Sequence, residues 1–161
     1  MLISEVKAFM EQNGARLHHI GILSENLEGT IDFFKNLPYM SGLEANPGGY
    51  MKKEDLLVGE PFKIRITNGV MSNNPIRMEI LQPVREESDP NNVYSVLLDK
   101  YGPGFSHICY AIADRDAYET VVKTYVDEGY VAIVQGRQFV YLEPNNGCNC
   151  ILEFLCIPED A

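Results

Sequence analysis

Two six-residue stretches of this 161-residue chain repeat one pattern: residues 17–22 read LHHIGI, and residues 105–110 read FSHICY. In each stretch an apolar and a polar residue precede a histidine, and an isoleucine, a small residue and another apolar residue follow it. A second repeat lies further along, where MEIL at 78–81 precedes Pro83 and LEFL at 152–155 precedes Pro158. Because both repeats occur in the same order, we interpret the chain as two related halves, each opening with a histidine strand and closing with a glutamate strand.

The segments between these markers follow the same predicted order in both halves. Apolar residues at helical spacing predict a helix over 28–37 in the first half and over 116–128 in the second. Alternating patterns predict strands at 62–66, 76–81, 131–134, 137–142 and 150–155. Each half is therefore predicted to read βαβββ, which is an α+β fold.

One domain over residues 17–158 accommodates both halves, with modules at 17–84 and 105–158. The amphipathic pattern at the start predicts a helical extension over 1–16. A further short helix is predicted at 93–101, in the segment that joins the modules, because residues 102–104 read GPG and end it.

Strand alternation predicts where the two repeated histidines point. The large apolar neighbours of His19 and His107 share one face of their strands and are expected to pack against the helices, so both histidines point to the other face. A small residue, Gly21 or Cys109, follows two positions later and leaves space in front of the sheet. His18 has the opposite parity, and we expect a structural or surface role for it.

The two repeated glutamates alternate with apolar residues in the same way, so they share the face of the histidines. Two halves packed with these faces together would bring His19, Glu79, His107 and Glu153 into one cavity. Nitrogen and oxygen donors suit one divalent ion, such as Zn²⁺, Ni²⁺, Co²⁺, Mn²⁺ or Fe²⁺, with positions left for substrate. Taken singly, each residue has an ordinary structural explanation, but buried carboxylates without a cation are costly, so their joint recurrence favours a metal site.

Cysteine usage and charge narrow the class of protein. The four cysteines all lie in the last third of the chain, a distribution that favours free thiols over a disulfide framework. The Cys-x-Cys spacing of Cys148 and Cys150 is only a weak signal for a metal site, and we expect no cysteine in register with the four predicted ligands. The net charge of -10, from 13 Lys+Arg and 23 Asp+Glu, disfavours nucleic acid as a partner. No apolar run approaches the roughly 20 residues that span a bilayer, and no signal-peptide pattern is present, so we expect a cytoplasmic protein without membrane association.

The motifs resemble those of the vicinal oxygen chelate superfamily, which includes glyoxalases and bleomycin resistance proteins. The matching stretches are HIGI from His19, EILQP from Glu79, YGPGFSHI from Tyr101 and LEF from Leu152. The resemblance spans about residues 17–158 and is greatest to the branch that holds methylmalonyl-CoA epimerase and glyoxalase I. It implies two βαβββ modules that form an incomplete barrel around one divalent metal, and a homodimer.

The resemblance also implies a reaction. Enzymes of this branch are isomerases or lyases that move a proton next to a carbonyl, and here Glu153 matches the metal-linked base. The GPG run before His107 favours an epimerase acting on an acyl-CoA thioester; a lactoylglutathione lyase acting on a glutathione hemithioacetal is the alternative. In the epimerases a second glutamate, just before the strand that matches 62–66, acts opposite the first, and its position here falls on Gly59 or Glu60.

Two further points follow from the resemblance. Some relatives only sequester a small molecule such as bleomycin, but these usually lack the full set of metal residues, so the four residues here favour an enzyme. A CoA substrate would need cations at the cavity mouth to bind its phosphates, although each candidate is equally well explained as a surface charge. The candidates are Lys52, Lys53, Arg65, Arg77 and Arg137.

Overall fold

The structure is a computed structural model that describes residues 1–38, 40, 42–67, 77–86 and 91–159. Four α-helices occur in these ranges: α1 (Ile3–Gln12), α2 (Leu27–Lys35), α3 (Val93–Tyr101) and α4 (Arg115–Asp127). The strands are β1 (Arg16–Leu23), β2 (Ala45–Met51), β3 (Leu56–Val58), β4 (Phe62–Thr67), β5 (Met78–Pro83), β6 (Gly104–Ile112), β7 (Val131–Gly136), β8 (Phe139–Glu143) and β9 (Ile151–Cys156). This mixed architecture confirms the predicted α+β fold class.

All nine strands form one sheet in the order β2-β4-β5-β1-β6-β9-β8-β7-β3. The two histidine strands, β1 and β6, pair antiparallel at its centre. Each glutamate strand then pairs parallel with the histidine strand of its own half, β5 with β1 and β9 with β6. The centre of the sheet therefore has an approximate twofold arrangement.

The sheet curls strongly, because its two edge strands are neighbours in the chain. A flat nine-stranded sheet would separate its edges by roughly 38 Å. Only residues 52–55 connect β2 to β3, and the chain from Met51 to Leu56 reaches at most about 18 Å. The sheet must bend round a concave face, which is the incomplete barrel that the resemblance implied.

Helices α1, α2 and α4 cover the convex face. Leu27 and Ile31 of α2 pack on Met78 and Ile80 of β5. On the other half, α1 and α4 pack with Phe154 of β9 and its neighbours. The large apolar neighbours of the repeated histidines and glutamates thus pack towards the helices, as strand alternation predicted.

Helix α3 joins the two halves through a third cluster. Tyr94 and Leu97 pack there with Phe62 of β4 and with Tyr141 of β8. The ring centroids of Tyr94 lie 5.0 Å from Phe62 and 5.6 Å from Tyr141. The connecting segment between the predicted modules therefore forms part of the wall of the concave face.

Most predicted elements agree with the structure to within two or three residues, and α3 has the predicted limits. The Asn26, Asn92 and Asp114 side chains cap the starts of α2, α3 and α4 by accepting hydrogen bonds from backbone N–H groups. The predicted strand start at Ile76 lies outside the described residues. The module limits 17–84 and 105–158 and the extension 1–16 stay predictions.

The sequence pattern did not locate β2 and β3. Strand β2 reads ANPGGYM, and Asn, Pro and Gly are all unfavourable in strands. Its pairing with β4 is irregular between Asn46 and Gly49, and Gly48 in that bulge has a φ of +88°.

None of the helices within the described ranges has the length and hydrophobicity of a membrane-spanning segment.

A Gly48→Ala substitution tests this bulge. A Cβ at Gly48 would lie 1.8 Å from the backbone oxygen of Ile64, and the positive φ adds strain, so we expect the free energy of unfolding to fall by about 1–3 kcal/mol. Gly49→Ala is the matched control, because a Cβ there meets nothing within 4 Å. Chemical denaturation of both variants measures the difference; equal stabilities would contradict the assigned bulge.

Candidate metal centre

The register of the four central strands brings the repeated residues together. Across the sheet, Glu79 of β5 lies beside Gly21 of β1, which pairs with His107 of β6. In the neighbouring row, His19 of β1 pairs with Cys109 of β6, which lies beside Glu153 of β9. Each histidine therefore stands next to the small residue of the other histidine strand.

This arrangement explains why small residues follow the histidines. A Cβ at Gly21 would lie 1.8 Å from Cε1 of His107, so the imidazole occupies the space that a side chain at Gly21 would need. Cys109 is buried next to His19. The expectation that no cysteine lies in register with the four ligands is therefore wrong, because the antiparallel pairing of β1 and β6 sets Cys109 beside His19.

One nitrogen or oxygen atom from each of the four predicted ligands meets at a single point on the concave face. Nε2 of His19 lies 3.0 Å from Nε2 of His107 and 3.1 Å from Oε2 of both Glu79 and Glu153. Nε2 of His107 lies 3.4 Å from Oε2 of Glu79 and 3.3 Å from Oε2 of Glu153. Donor atoms that share one ion at about 2.0–2.2 Å are roughly 2.8–3.1 Å apart at neighbouring positions of an octahedron and roughly 3.3–3.6 Å apart in a tetrahedron. The four side chains thus fit one divalent ion.

The burial of this cluster also favours a cation. Both histidines and Glu153 are buried, and Glu79 is about one fifth exposed. Oε2 of Glu153 is shielded from solvent and has no partner of acceptable hydrogen-bond geometry among the described residues, although the two ring nitrogens are near. A buried carboxylate oxygen without a hydrogen bond is costly unless a positive charge compensates it.

The pKa shifts have the same origin. Burial by itself lowers the pKa of His19, but contacts with the carboxylates of Glu153 and Glu79 outweigh burial and raise it to about 10. Burial favours neutral Glu79, yet its contacts with His107 and His19 outweigh that effect and lower the pKa of this carboxyl. The two carboxylates stabilise a positive charge between them, and a metal ion would take the place of the imidazole proton.

A second set of potential ligands, His18, His19 and Cys109, is less suitable. Burial, and after it the nearby Glu153, raises the pKa of the Cys109 thiol. A metal binds the thiolate rather than the thiol, so this shift disfavours Cys109 as a ligand. All four cysteines are free, as predicted, and Cys148 and Cys150 belong to no possible metal group among the described residues.

His18 corrects one detail of the strand interpretation. The register of β1 is irregular between Leu17 and His19, and Nδ1 of His18 lies 2.7 Å from Nδ1 of His19. The expectation that His18 points away from His19 is therefore wrong, although a structural role agrees with its contacts. Nη1 of Arg77 lies 3.0 Å from Nε2 of His18, and burial, then His19 and Arg77, lowers the pKa of His18 to about 4. Neutral His18 has a single acceptor nitrogen, so it can accept a hydrogen bond from Arg77 or from the outer N–H of His19, but not from both.

Glu79 and Glu153 of the cluster line a cavity of about 310 Å³ on the concave face, which we call the inner cavity. His19 and His107 are not among its described lining residues. Its lining is mostly apolar and includes Met51, Phe62, Ile64, Ile66, Leu81, Tyr94, Gln138, Phe139, Tyr141, Leu155 and Ile157 beside Glu79 and Glu153. Burial, and after it Glu153, raises the pKa of Tyr94 and of Tyr141, so both hydroxyls stay protonated. Sequence analysis missed these tyrosines, because only the three-dimensional approach of α3 to β8 brings them together.

Glu60, the predicted second proton-transfer group, does not lie with the four clustered residues. Its side chain is 54% exposed and pairs with Nζ of Lys53 at 3.1 Å, in the turn between β3 and β4. Glu60 is not among the described residues that line the inner cavity. Its catalytic role stays a prediction.

Comparison with known proteins gives one family match and several similar folds. The model of the family described as Glyoxalase/Bleomycin resistance protein/Dioxygenase superfamily matches residues 18–141. No match was found among curated proteins.

Among solved structures, a hypothetical protein from Bacillus halodurans C-125 is 20% identical with a TM-score of 0.55, and the alignment covers 92% of this chain and 98% of that chain. Methylmalonyl-CoA epimerase from Mycobacterium tuberculosis is 16% identical with a TM-score of 0.55, covering 89% of each chain. A variant of the Streptomyces coelicolor methylmalonyl-CoA epimerase, in complex with 2-nitronate-propionyl-CoA, is 21% identical with a TM-score of 0.51, covering 88% of this chain and 96% of that chain. At these identities the likeness concerns the fold.

A Gly21→Ala substitution tests the packing behind the cluster. The added methyl group would displace the fully buried imidazole of His107, so we expect metal affinity to fall by about 10–100-fold while the fold is retained. Competition with a chromophoric chelator measures the affinity, and circular dichroism checks the fold. Gly49→Ala, which adds a methyl group in open space, serves as the control. Unchanged affinity in Gly21→Ala would show that His107 is not held as described.

Proposed function

The chain belongs to the glyoxalase/bleomycin resistance protein/dioxygenase superfamily, and from this premise we propose a metal-dependent enzyme that moves a proton at a carbon next to a carbonyl group. The supporting observation is the cluster of His19, Glu79, His107 and Glu153, whose two glutamates line a mostly apolar cavity. Epimerisation of an acyl-CoA thioester of the methylmalonyl type is the leading reaction, because solved structures with this fold include methylmalonyl-CoA epimerases.

The four clustered residues would hold the ion, which supplies a Lewis acid for the carbonyl oxygen of the substrate. Glu153 is the residue that we assign to proton transfer. Its carboxylate lies at the base of the inner cavity and is almost completely buried, so water competes little for the proton. A positioned carboxylate of this kind accelerates proton transfer by roughly 10²–10⁴-fold.

The walls of the inner cavity would support this chemistry. Apolar side chains from β4, β5, β8 and β9 exclude water from the reacting carbon. The hydroxyls of Tyr94 and Tyr141 stay protonated, so they would act as hydrogen-bond donors to a substrate oxygen and not as bases. Proton removal is therefore left to the carboxylates.

A specific observation favours a second candidate, glyoxalase I-like chemistry on a glutathione hemithioacetal. The described lining of the inner cavity contains no lysine or arginine. A methylmalonyl group carries a free carboxylate, which would need the metal itself as its cationic partner, whereas the reacting end of a hemithioacetal has no such charge. Both substrates are therefore tested together.

Two other expectations stay predictions. A homodimer follows from the resemblance alone, and light scattering after size exclusion measures the mass. A protein that only sequesters a small molecule would bind its ligand without turnover, and the exchange experiment below separates that case from an enzyme.

Deuterium exchange tests the proposed reaction. Metal-loaded protein in deuterated water is incubated with methylmalonyl-CoA, or with methylglyoxal plus glutathione. We expect deuterium at the carbon next to the thioester in the first reaction, or a lactoyl thioester in the second. Glu153→Gln should lower the rate by at least about 100-fold, because it removes the proton-transfer group.

The control is Glu86→Gln, which makes the same chemical change at an exposed residue that pairs with Lys63. Glu60→Gln is measured alongside, and a loss comparable to Glu153→Gln would assign Glu60 a direct role. No reaction of either substrate with the metal-loaded wild type would contradict both named reactions and favour sequestration.

A further inference from the structure

A second depression adjoins the inner cavity. It has a volume of about 500 Å³ and is lined by Met51, Asp55, Arg115, Gly136, Arg137, Gln138 and Phe139. Three of these residues, Met51, Gln138 and Phe139, also line the inner cavity. The second depression, here called the outer depression, therefore lies next to the inner cavity across a shared wall.

Arg137 of the outer depression differs from most other cations of the described residues. Eight of the 13 lysines and arginines lie within 4.0 Å of a carboxylate. Arg137 is exposed in the turn between β7 and β8 and makes no hydrogen bond or ion pair with the described part of the chain. Only two lysines, Lys35 and Lys52, share that property among the described residues, and Lys52 directly follows Met51 of the shared wall.

Arg115 adds a second guanidinium at the start of α4. Its nearest carboxylate is that of Glu119, whose Oε1 lies 4.0 Å from Nε, and its guanidinium carbon lies 5.3 Å from the ring centroid of Tyr118. Asp55 is the one acid among the described lining residues, and it lies beyond 4.0 Å from both arginines. In a chain of net charge -10, this site therefore holds Arg137, which has no partner among the described residues, and Arg115, whose ion pair with Glu119 is at the 4.0 Å limit.

We propose that the outer depression binds the anionic tail of the substrate whose carbonyl lies at the metal cluster. This inference rests on the proposed function and narrows its substrate class to compounds with a reactive thioester or hemithioacetal at one end and phosphate or carboxylate groups at the other. Guanidinium groups suit both anions, because their paired N–H donors match two oxygens at once. Met51 and Phe139 of the shared wall contact the uncharged middle of such a molecule.

The cations that the sequence suggested for binding phosphates differ in whether another side chain already contacts them. Arg65 pairs with Glu28, Lys53 pairs with Glu60, and Arg77 contacts His18. Lys52 and Arg137 remain from the original candidates, and only Arg137 lines the outer depression. The fold adds Arg115, which has no distinguishing sequence signal. A second arginine pair, Arg65 and Arg85, lines a separate depression, but carboxylates neutralise both.

Equilibrium binding of unreactive ligands tests the proposal without relying on turnover. Isothermal calorimetry measures the dissociation constants of coenzyme A, 3′-dephospho-coenzyme A, pantetheine and S-methylglutathione for the wild type and for Arg137→Gln and Arg115→Gln. Arg85→Gln is the matched control, because Arg85 is exposed and pairs with Asp99 outside the outer depression.

We expect one anionic ligand to bind the wild type and to bind about 10–100-fold more weakly to Arg137→Gln and Arg115→Gln, since each loses a charge-assisted contact. Pantetheine, which lacks phosphates, should bind weakly to every variant. A selective effect on coenzyme A assigns phosphates to the site, and a selective effect on S-methylglutathione assigns carboxylates.

Equal affinities of Arg137→Gln, Arg115→Gln and Arg85→Gln, or no binding of any anionic ligand, would overturn the proposal. The outcome is separable from that of the exchange experiment. If binding depends on the two arginines but no exchange occurs, the anion site is supported and the proposed reaction is rejected. If exchange occurs but binding does not depend on the arginines, the proposed reaction is supported and the anion site is rejected.

Discussion

The antiparallel pairing of β1 with β6 is the interaction on which the rest of the site depends. It sets His19 beside Cys109 and Gly21 beside His107, so both imidazoles point to the concave face with room in front of them. The parallel pairs β1–β5 and β6–β9 then add one glutamate on each side. A shift of one residue in any of these three pairings would turn a ligand towards the helices, because successive side chains of a strand alternate between faces.

Burial of two carboxylates is the energetic constraint that gives this geometry a function. Glu79 and Glu153 need a positive charge between them, and in the absence of a metal the protonated ring of His19 supplies it, which is why its pKa rises to about 10. The same demand would favour a divalent cation at this site, because nitrogen and oxygen donors suit such ions. In the proposed reaction, the apolar walls around the site would strengthen the electrostatic effect of that cation on a bound carbonyl.

Sequence reasoning was most successful where a residue's role follows from period and repetition. Strand alternation predicted that His19, Glu79, His107 and Glu153 share one face, and helical spacing predicted α2, α3 and α4. Sequence patterns failed where pairing between distant segments outweighs the local preference for a type of secondary structure. Segment β2 is a strand despite its Asn, Pro and Gly, because it pairs with β4 across a bulge. No local pattern encodes strand register or the docking of helices. These two features determine the contact of His18 with His19, the wall formed by Tyr94 and Tyr141, and the position of Arg115.

X-ray absorption of the zinc-loaded protein, combined with its metal content, tests whether His19, Glu79, His107 and Glu153 bind one ion. We predict one ion per chain with nitrogen and oxygen ligands at about 2.0–2.2 Å, including two imidazoles. In His107→Ala one imidazole contribution should disappear, and in Cys109→Ser the spectrum should stay unchanged. A sulfur ligand at about 2.3 Å, or the same imidazole contribution in His107→Ala as in the wild type, would contradict the account.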